Sequence, residues 1–276
     1  MQTTYHLRIK PTTGFGGLNF SELWAFRGLL AALALRDIKL RYRQTALGVA
    51  WVLVQPILAS GILAFVFGIV AGVTKPGRSP IFQFVLGGYM GWSLFSSVFS
   101  RSGQSLLQHS ALISKVFFPR ILLPVSTVLA ALLDFVVVLG LFLVFAILFG
   151  PAIGWQVITL PFWIFFLLLF GIGLGLVSAA LSVRFRDVPH MTPVLMQIIF
   201  YASPIAYQTA NVPEKWRGLF LLNPLASLFD GLRWSLLGEG RIGVLQTAYS
   251  VVTAVFVTLV GVAIFRHAER EFADVI

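Results

Sequence analysis

Arg36, Lys39 and Arg43 stand at positions i, i+3 and i+7, so a helix through them sets three cations along one face. Guanidinium and ammonium groups placed this way hold phosphate through charge-assisted hydrogen bonds. Two readings follow. The face anchors a helix to anionic headgroups, or it receives a phosphorylated lipid substrate. Asp134 is the only acidic residue deep within an apolar stretch. An acid in that setting is functional, or is a protonated carboxyl bonded to a neighbouring helix, or is paired with an Arg. No accompanying series of Asp, Glu or His forms a proton relay, which favours a structural role.

Other chemistry is missing. No Lys follows a Gly, so no phosphate-cradling loop of the nucleotide-binding type exists. His6, His109, His190 and His267 are far apart, and none belongs to a metal-binding helix motif. No nucleophile elbow and no close pair of carboxylates is present, and with no Cys there is neither disulfide nor thiolate chemistry. The chain is therefore read as non-enzymatic, with no cofactor or metal of its own.

The elements carrying these residues are apolar helices. Six stretches, roughly 47–73, 81–100, 121–149, 157–183, 191–207 and 245–265, approach the ~20 residues needed to cross ~30 Å of hydrocarbon. Mean hydropathy is +0.91, with 58% hydrophobic and 11% charged residues, a balance that no soluble domain of this size could bury. The net charge of +10 is read as basic loops facing lipid, not as nucleic-acid binding. With six spans both termini share a side. Fourteen of the twenty Lys and Arg fall on that side and six on the other, which predicts cytoplasmic termini.

The expected fold is an all-α membrane protein of three parts. Residues 1–20 form a cytoplasmic N-terminal segment, 21–46 an amphipathic interface helix with its basic run, and 47–276 a six-span domain. The apolar run 23–35 resembles a signal peptide, but the basic cluster after it favours an interfacial helix with Trp24 at headgroup depth. Pro56 predicts a kink in the first span. Gly68/Gly72, Gly87/Gly91 and Gly171/Gly175 have the small-xxx-small spacing of close helix packing. The stretch 101–120 predicts a helix over about 104–118, with an apolar stripe and Gln104, Gln108, His109, Ser114 and Lys115 on its polar side. It lies on the membrane or docks into a partner. Residues 211–240 are too broken to span and too apolar for a solvated loop, which predicts two short re-entrant outer helices over about 212–240.

Several motifs carry a family resemblance. The run Leu35-Arg36-Asp37-Ile38-Lys39-Leu40-Arg41-Tyr42-Arg43-Gln44-Thr45-Ala46-Leu47-Gly48-Val49-Ala50-Trp51, followed by Gln55-Pro56, resembles the start of the first span in ABC type-2 polysaccharide exporters. Lys115-Val116-Phe117-Phe118-Pro119-Arg120, Arg184-Phe185-Arg186-Asp187-Val188, Tyr201-Ala202-Ser203-Pro204-Ile205 and Leu222-Asn223-Pro224-Leu225 match in order. The resemblance implies the membrane subunit of an exporter for lipid-linked O-antigen, capsule or teichoic acid in the bacterial inner membrane. It also implies a homodimer bound to two copies of a separate ATPase that holds Mg-ATP.

The same resemblance makes 104–118 the helix inserted into that ATPase, with Gln104, Leu107, Gln108, His109, Ile113, Lys115 and Phe117 as coupling residues, and makes the outer helices a gate. Arg36, Lys39, Arg41 and Arg43 would then hold the lipid diphosphate. Aromatic rings let sugars slide without a fixed charge, so Trp51, Phe65, Phe67, Tyr89, Trp92, Phe200 and Tyr201 are candidate channel residues. The rival readings are another ABC type-2 substrate, such as a drug or lipid, and a membrane-embedded glycolipid transferase. The transferase would need a cluster of acidic or His residues at one membrane face.

Overall fold

The computed structural model of the chain describes residues 24–42, 50–72, 79–113, 115–116, 118–150, 154–240 and 242–269, with the side chains of 40–42 and 210 outside the description. The expected N-terminal segment 1–20 lies outside these residues. The elements are α1 (Arg27–Tyr42), α2 (Ala50–Ala64), α3 (Ile81–Gln108), the single turn α4 (Ser110–Ile113), α5 (Leu122–Phe149) and α6 (Leu160–Arg184), followed by α7 (Val188–Tyr201), α8 (Glu214–Leu221), α9 (Pro224–Leu237) and α10 (Val244–Glu269). A π-helical turn, Phe65–Val70, extends α2, and a 3-10 turn, Trp155–Thr159, leads into α6. No strand occurs among the described residues.

Four of the six stretches expected to span lie in helices long and apolar enough to cross a bilayer: Ala50–Val70, Leu122–Phe149, Trp155–Arg184 and Val244–Glu269. The stretch 81–100 lies in α3, whose serines, glutamines and Arg101 make it more polar. That polarity is tolerated because α3 is the axis of the bundle, with eighteen buried residues from Gln83 to Leu106 and contacts to α2, α5, α6, α7 and α9. The stretch 191–207 is helical only to Tyr201. Fourteen residues at ~1.5 Å each reach only about 21 Å, and Ser203, preceding Pro204, is turned away from helical geometry.

Small residues bring the central helices together. A Cβ on Gly175 would lie 2.6 Å from the Ser102 Cβ, so α6 can approach α3 this closely only with Gly there. A Cβ on Gly261 would lie 2.3 Å from the Gly173 carbonyl oxygen, which seats α10 on α6. Hydroxyls tie the same helices: Ser182 Oγ of α6 donates to the Gly103 carbonyl of α3 at 3.2 Å, and Ser102 Oγ of α3 to the Pro124 carbonyl of α5 at 3.1 Å. The Gly171/Gly175 spacing therefore serves packing within one chain. One apolar cluster runs along α3, α5, α6 and α9; a second, at the basic end, joins Leu33 of α1 to Leu106, Ile121, Leu122, Leu176 and Phe265.

Candidate functional site

At the basic end α1 runs without a break through the apolar segment into the basic one, so the two segments are one helix. Leu33 and Ala34 are buried against the bundle while Arg36 and Lys39 are exposed, which aims their charges away from it. Arg36 Nη2 lies 3.6 Å from Asp37 Oδ1. Arg43 lies outside the described residues, as does the side chain of Arg41.

The single helix expected over about 104–118 is corrected. Span and expected coupling helix merge: α3 continues to Gln108, the chain turns at His109, and α4 holds only Ser110–Ile113. Two local causes are visible. Ser102, Gly103, Ser105 and Leu106 are buried in the α3–α6 seam, so that part of the sequence is core and not a peripheral face. The His109 ring then turns inward and takes the Ser105 carbonyl at 2.8 Å, closing the helix end. Of the expected coupling residues, Leu107, Gln108 and Lys115 are exposed, Gln104 and Ile113 are half-buried, and His109 is 6% exposed. Phe117 lies outside the described residues. Gln108 Nε2 donates to Gln104 Oε1 at 3.3 Å.

Asp134 is paired with a cation. Arg101 Nη2 donates to its Oδ2 at 2.9 Å, linking α3 to α5. Of the three possibilities open in the sequence, the Arg pair is the one present.

At the opposite end the segment 212–240 resolves into an exposed α8 and a deeply buried α9. Asn223 caps α9 by accepting from the Leu225 N–H at 3.0 Å, with Pro224 in the first helical turn. Asn223 Nδ2 donates to the Ala202 carbonyl at 3.1 Å and to Ser203 Oγ at 2.9 Å. Two motifs twenty residues apart in sequence, 201–205 and 222–225, are therefore in contact.

Arg233, counted in the sequence among the outer basic residues, is the residue that sequence reasoning missed. It is 2% exposed. Its Nη1 donates to the carbonyls of Ile205 at 3.2 Å and Tyr207 at 3.1 Å, its Nη2 to the Pro204 carbonyl at 2.8 Å and to Asp230 Oδ1. The guanidinium also sits 4.4 Å from the centre of the Phe84 ring, and Thr209 Oγ1 donates to Asp230 Oδ2 at 2.7 Å. A broken backbone between α7 and α8 leaves carbonyls without helical partners, and one buried guanidinium satisfies three of them. The available signal was Asp230 and Arg233 at i, i+3 in otherwise apolar surroundings.

The candidate channel aromatics separate into groups. Tyr89 and Trp92 are in the core, and Trp92 meets Phe200 edge-on at 5.2 Å. Phe200 is half-buried and meets Tyr201 at 5.5 Å; Tyr201 is 68% exposed. Trp51 and Phe65 are exposed on α2 and its π-helical turn. Phe67, with Tyr207, Val212, Trp216 and Phe220, lines a cavity of about 320 Å³ beside α8.

The family pattern of the ABC-2 type transporters matches residues 28–237, from the start of α1 to the last residue of α9. The chain belongs to the ABC-2 type transporter family. As a member it is a membrane transport subunit and not an enzyme. It is similar to the O-antigen export system permease protein RfbA of Myxococcus xanthus, 33% identical over 257 residues that cover 92% of this chain and 97% of that protein. The RfbA of Klebsiella pneumoniae is 29% identical over 251 residues, 90% and 95% of the two chains. The polysialic acid transport protein KpsM of Escherichia coli is 24% identical over 245 residues, 87% and 93%. The ABC-2 match takes in the basic run, the turn after α3 and the Arg233 clamp alike.

Proposed function

We propose that this chain is the membrane subunit of an ATP-driven exporter that carries a lipid-linked polysaccharide, an O-antigen, from the cytoplasmic side across the inner membrane. The similarity to O-antigen export permeases over nearly the full length of both chains carries the reading. In it the chain crosses the membrane six times, with α3, and with α7 continued by the non-helical stretch 202–207, completing the set, and both termini are cytoplasmic. Two copies form the channel and two copies of a cytoplasmic ATPase drive it.

A long, polar polymer needs a water-tolerant path, and the seam between two copies provides one. Residues lining such a seam are exposed in a single copy. Trp51, Phe65 and Tyr201 meet that condition, and Phe67 and Phe200 adjoin them; Tyr89 and Trp92, enclosed in the core, support the wall from behind. Arg36 and Lys39, with Arg41 and Arg43 on the same run, hold the lipid diphosphate at the inner leaflet. The α4 turn and the exposed Leu107, Gln108 and Val116 around it dock on the ATPase. The outer helices α8 and α9 close the exit.

The test is reconstitution of the chain with its ATPase in vesicles, using labelled glycolipids. ATP-dependent appearance of an O-antigen glycolipid on the far side supports the reading. Movement of a capsule or teichoic acid polymer alone would reassign the substrate, and no movement of any glycolipid would remove the polysaccharide reading. Replacing Arg36, Lys39 and Arg43 together by Gln lowers export at unchanged protein level; unaltered export would remove the phosphate-holding role.

A further inference from the structure

We propose that His109 is a positioning residue that ties the docking turn to helix α1, so that a displacement of Ser110–Ile113 moves the cationic face carrying Arg36 and Lys39. The inference rests on the proposed function, in which that turn receives the motion of the ATPase.

His109 belongs to both sides of the joint. Its carbonyl accepts from the Leu112 N–H at 2.9 Å and the Ile113 N–H at 3.1 Å, so α4 is built directly on it. Its ring leaves the turn and enters the bundle, with the side chain 5% exposed. Nδ1 is fixed at 2.8 Å from the Ser105 carbonyl, and the buried Nε2, which has no hydrogen-bond partner among the described residues, lies 3.6 Å from Asp37 Oδ1 on α1. The two form an ion pair when the imidazole is protonated. Arg36 lies on the other side of the same carboxylate oxygen, at 3.6 Å. The order turn, imidazole, carboxylate, guanidinium therefore leads from the docking element to the phosphate-holding face through consecutive contacts.

Leu29, Leu30 and Leu33 of α1 meet the bundle through apolar contacts. Apolar contacts are non-directional and allow a helix to slide or roll. The His109–Asp37 contact, an ion pair when the imidazole is protonated, adds an electrostatic tie between the turn and α1 to those apolar contacts. An amphipathic helix that served only as an anchor would need no acid in the middle of its basic run facing inward.

The test is a double-mutant cycle in the complete complex with its ATPase, read as glycolipid moved per ATP hydrolysed. His109→Ala and Asp37→Ala each lower that ratio about tenfold, while ATP hydrolysis and recovery of the complex stay unchanged; the lost buried imidazole lowers the melting temperature of His109→Ala alone. The double variant falls no lower than the worse single one, and Asp37→Glu recovers at least about half of the ratio. An unchanged ratio, losses that multiply, or a loss accompanied by dissociation of the complex would each overturn the tie. A spin label on Leu35→Cys separates this inference from the transport reading, because it needs no glycolipid and the chain has no other Cys. Its mobility changes on ATP binding with His109 present and stays constant in His109→Ala. A change that persists in the variant refutes the tie even if transport is confirmed; a change lost with His109 supports it even if the glycolipid proves to be a different substrate.

Discussion

Arg233 shows how one side chain can decide local architecture. The backbone from Pro204 to Tyr207 is neither helix nor strand, yet it is buried beside α3; the Gly88 position is so close that a Cβ there would lie 2.2 Å from the Ile205 carbonyl oxygen. Carbonyls in that position need donors, and Arg233 supplies them while Asp230 balances its charge. Arg233→Met strands Asp230 and three carbonyls and should destabilise the protein by about 3–5 kcal/mol, seen as lost recovery and a lower melting temperature. Arg233→Lys keeps the charge but not the planar fork, so its stability falls between the two. Equal stability of all three would show that the clamp contributes nothing. Asp134→Asn tests a different point. Its partner Arg101 keeps a hydrogen-bond acceptor, so export per folded complex is unchanged while stability drops; lost export at full protein level would mean that Asp134 takes part in transport. At this scale the sequence was least informative, because periodicity marks which residues are apolar and not which carbonyl a buried cation will meet.

Elements were legible where composition and geometry agree. The long apolar stretches 121–149, 157–183 and 245–265 correspond to α5, α6 and α10 within a few residues, since nothing but a helix satisfies such a backbone in hydrocarbon. The docking region was not legible to the same degree. Leu106 and Leu107 both look like an amphipathic stripe, but Leu106 is fully buried against α6 and only Leu107 faces outward. A pattern of apolar residues does not say whether they meet lipid, a partner or the neighbouring helix. Of the small-xxx-small spacings, Gly87/Gly91 and Gly171/Gly175 meet neighbouring helices closely, whereas in Gly68/Gly72 the second glycine lies beyond the π-helical turn at φ +61° and does not pack as part of a helix. Gly175→Leu forces α6 off Ser102 and should abolish assembly in the membrane, whereas Gly140→Leu on α5, with nothing within 4 Å of an added Cβ, is tolerated. Equal membrane levels of the two variants would contradict the packing. Leu107→Glu with Val116→Glu places charge on the exposed surface proposed to meet the ATPase and should reduce ATPase co-purification at least about tenfold without lowering the melting temperature of the chain. Intact co-purification would move the docking site elsewhere.

At the scale of the whole molecule the two ends are built differently. One carries an exposed cationic helix, the Arg101–Asp134 pair and a short turn on a buried His; the other is closed by α9 and the Arg233 clamp, with Glu239 Oε1 accepting from Ser79 Oγ at 2.8 Å beside it. The transport reading assigns the first end to the cytoplasm and its ATPase and the second to the exit. Reactive single cysteines placed at each end, in a chain that has none of its own, test this most directly by sided labelling in intact cells and inverted vesicles. Gln108→Cys and Lys115→Cys should react with an impermeant maleimide only in inverted vesicles, and Lys215→Cys and Trp216→Cys only in intact cells. Labelling of all four from one side would contradict the account.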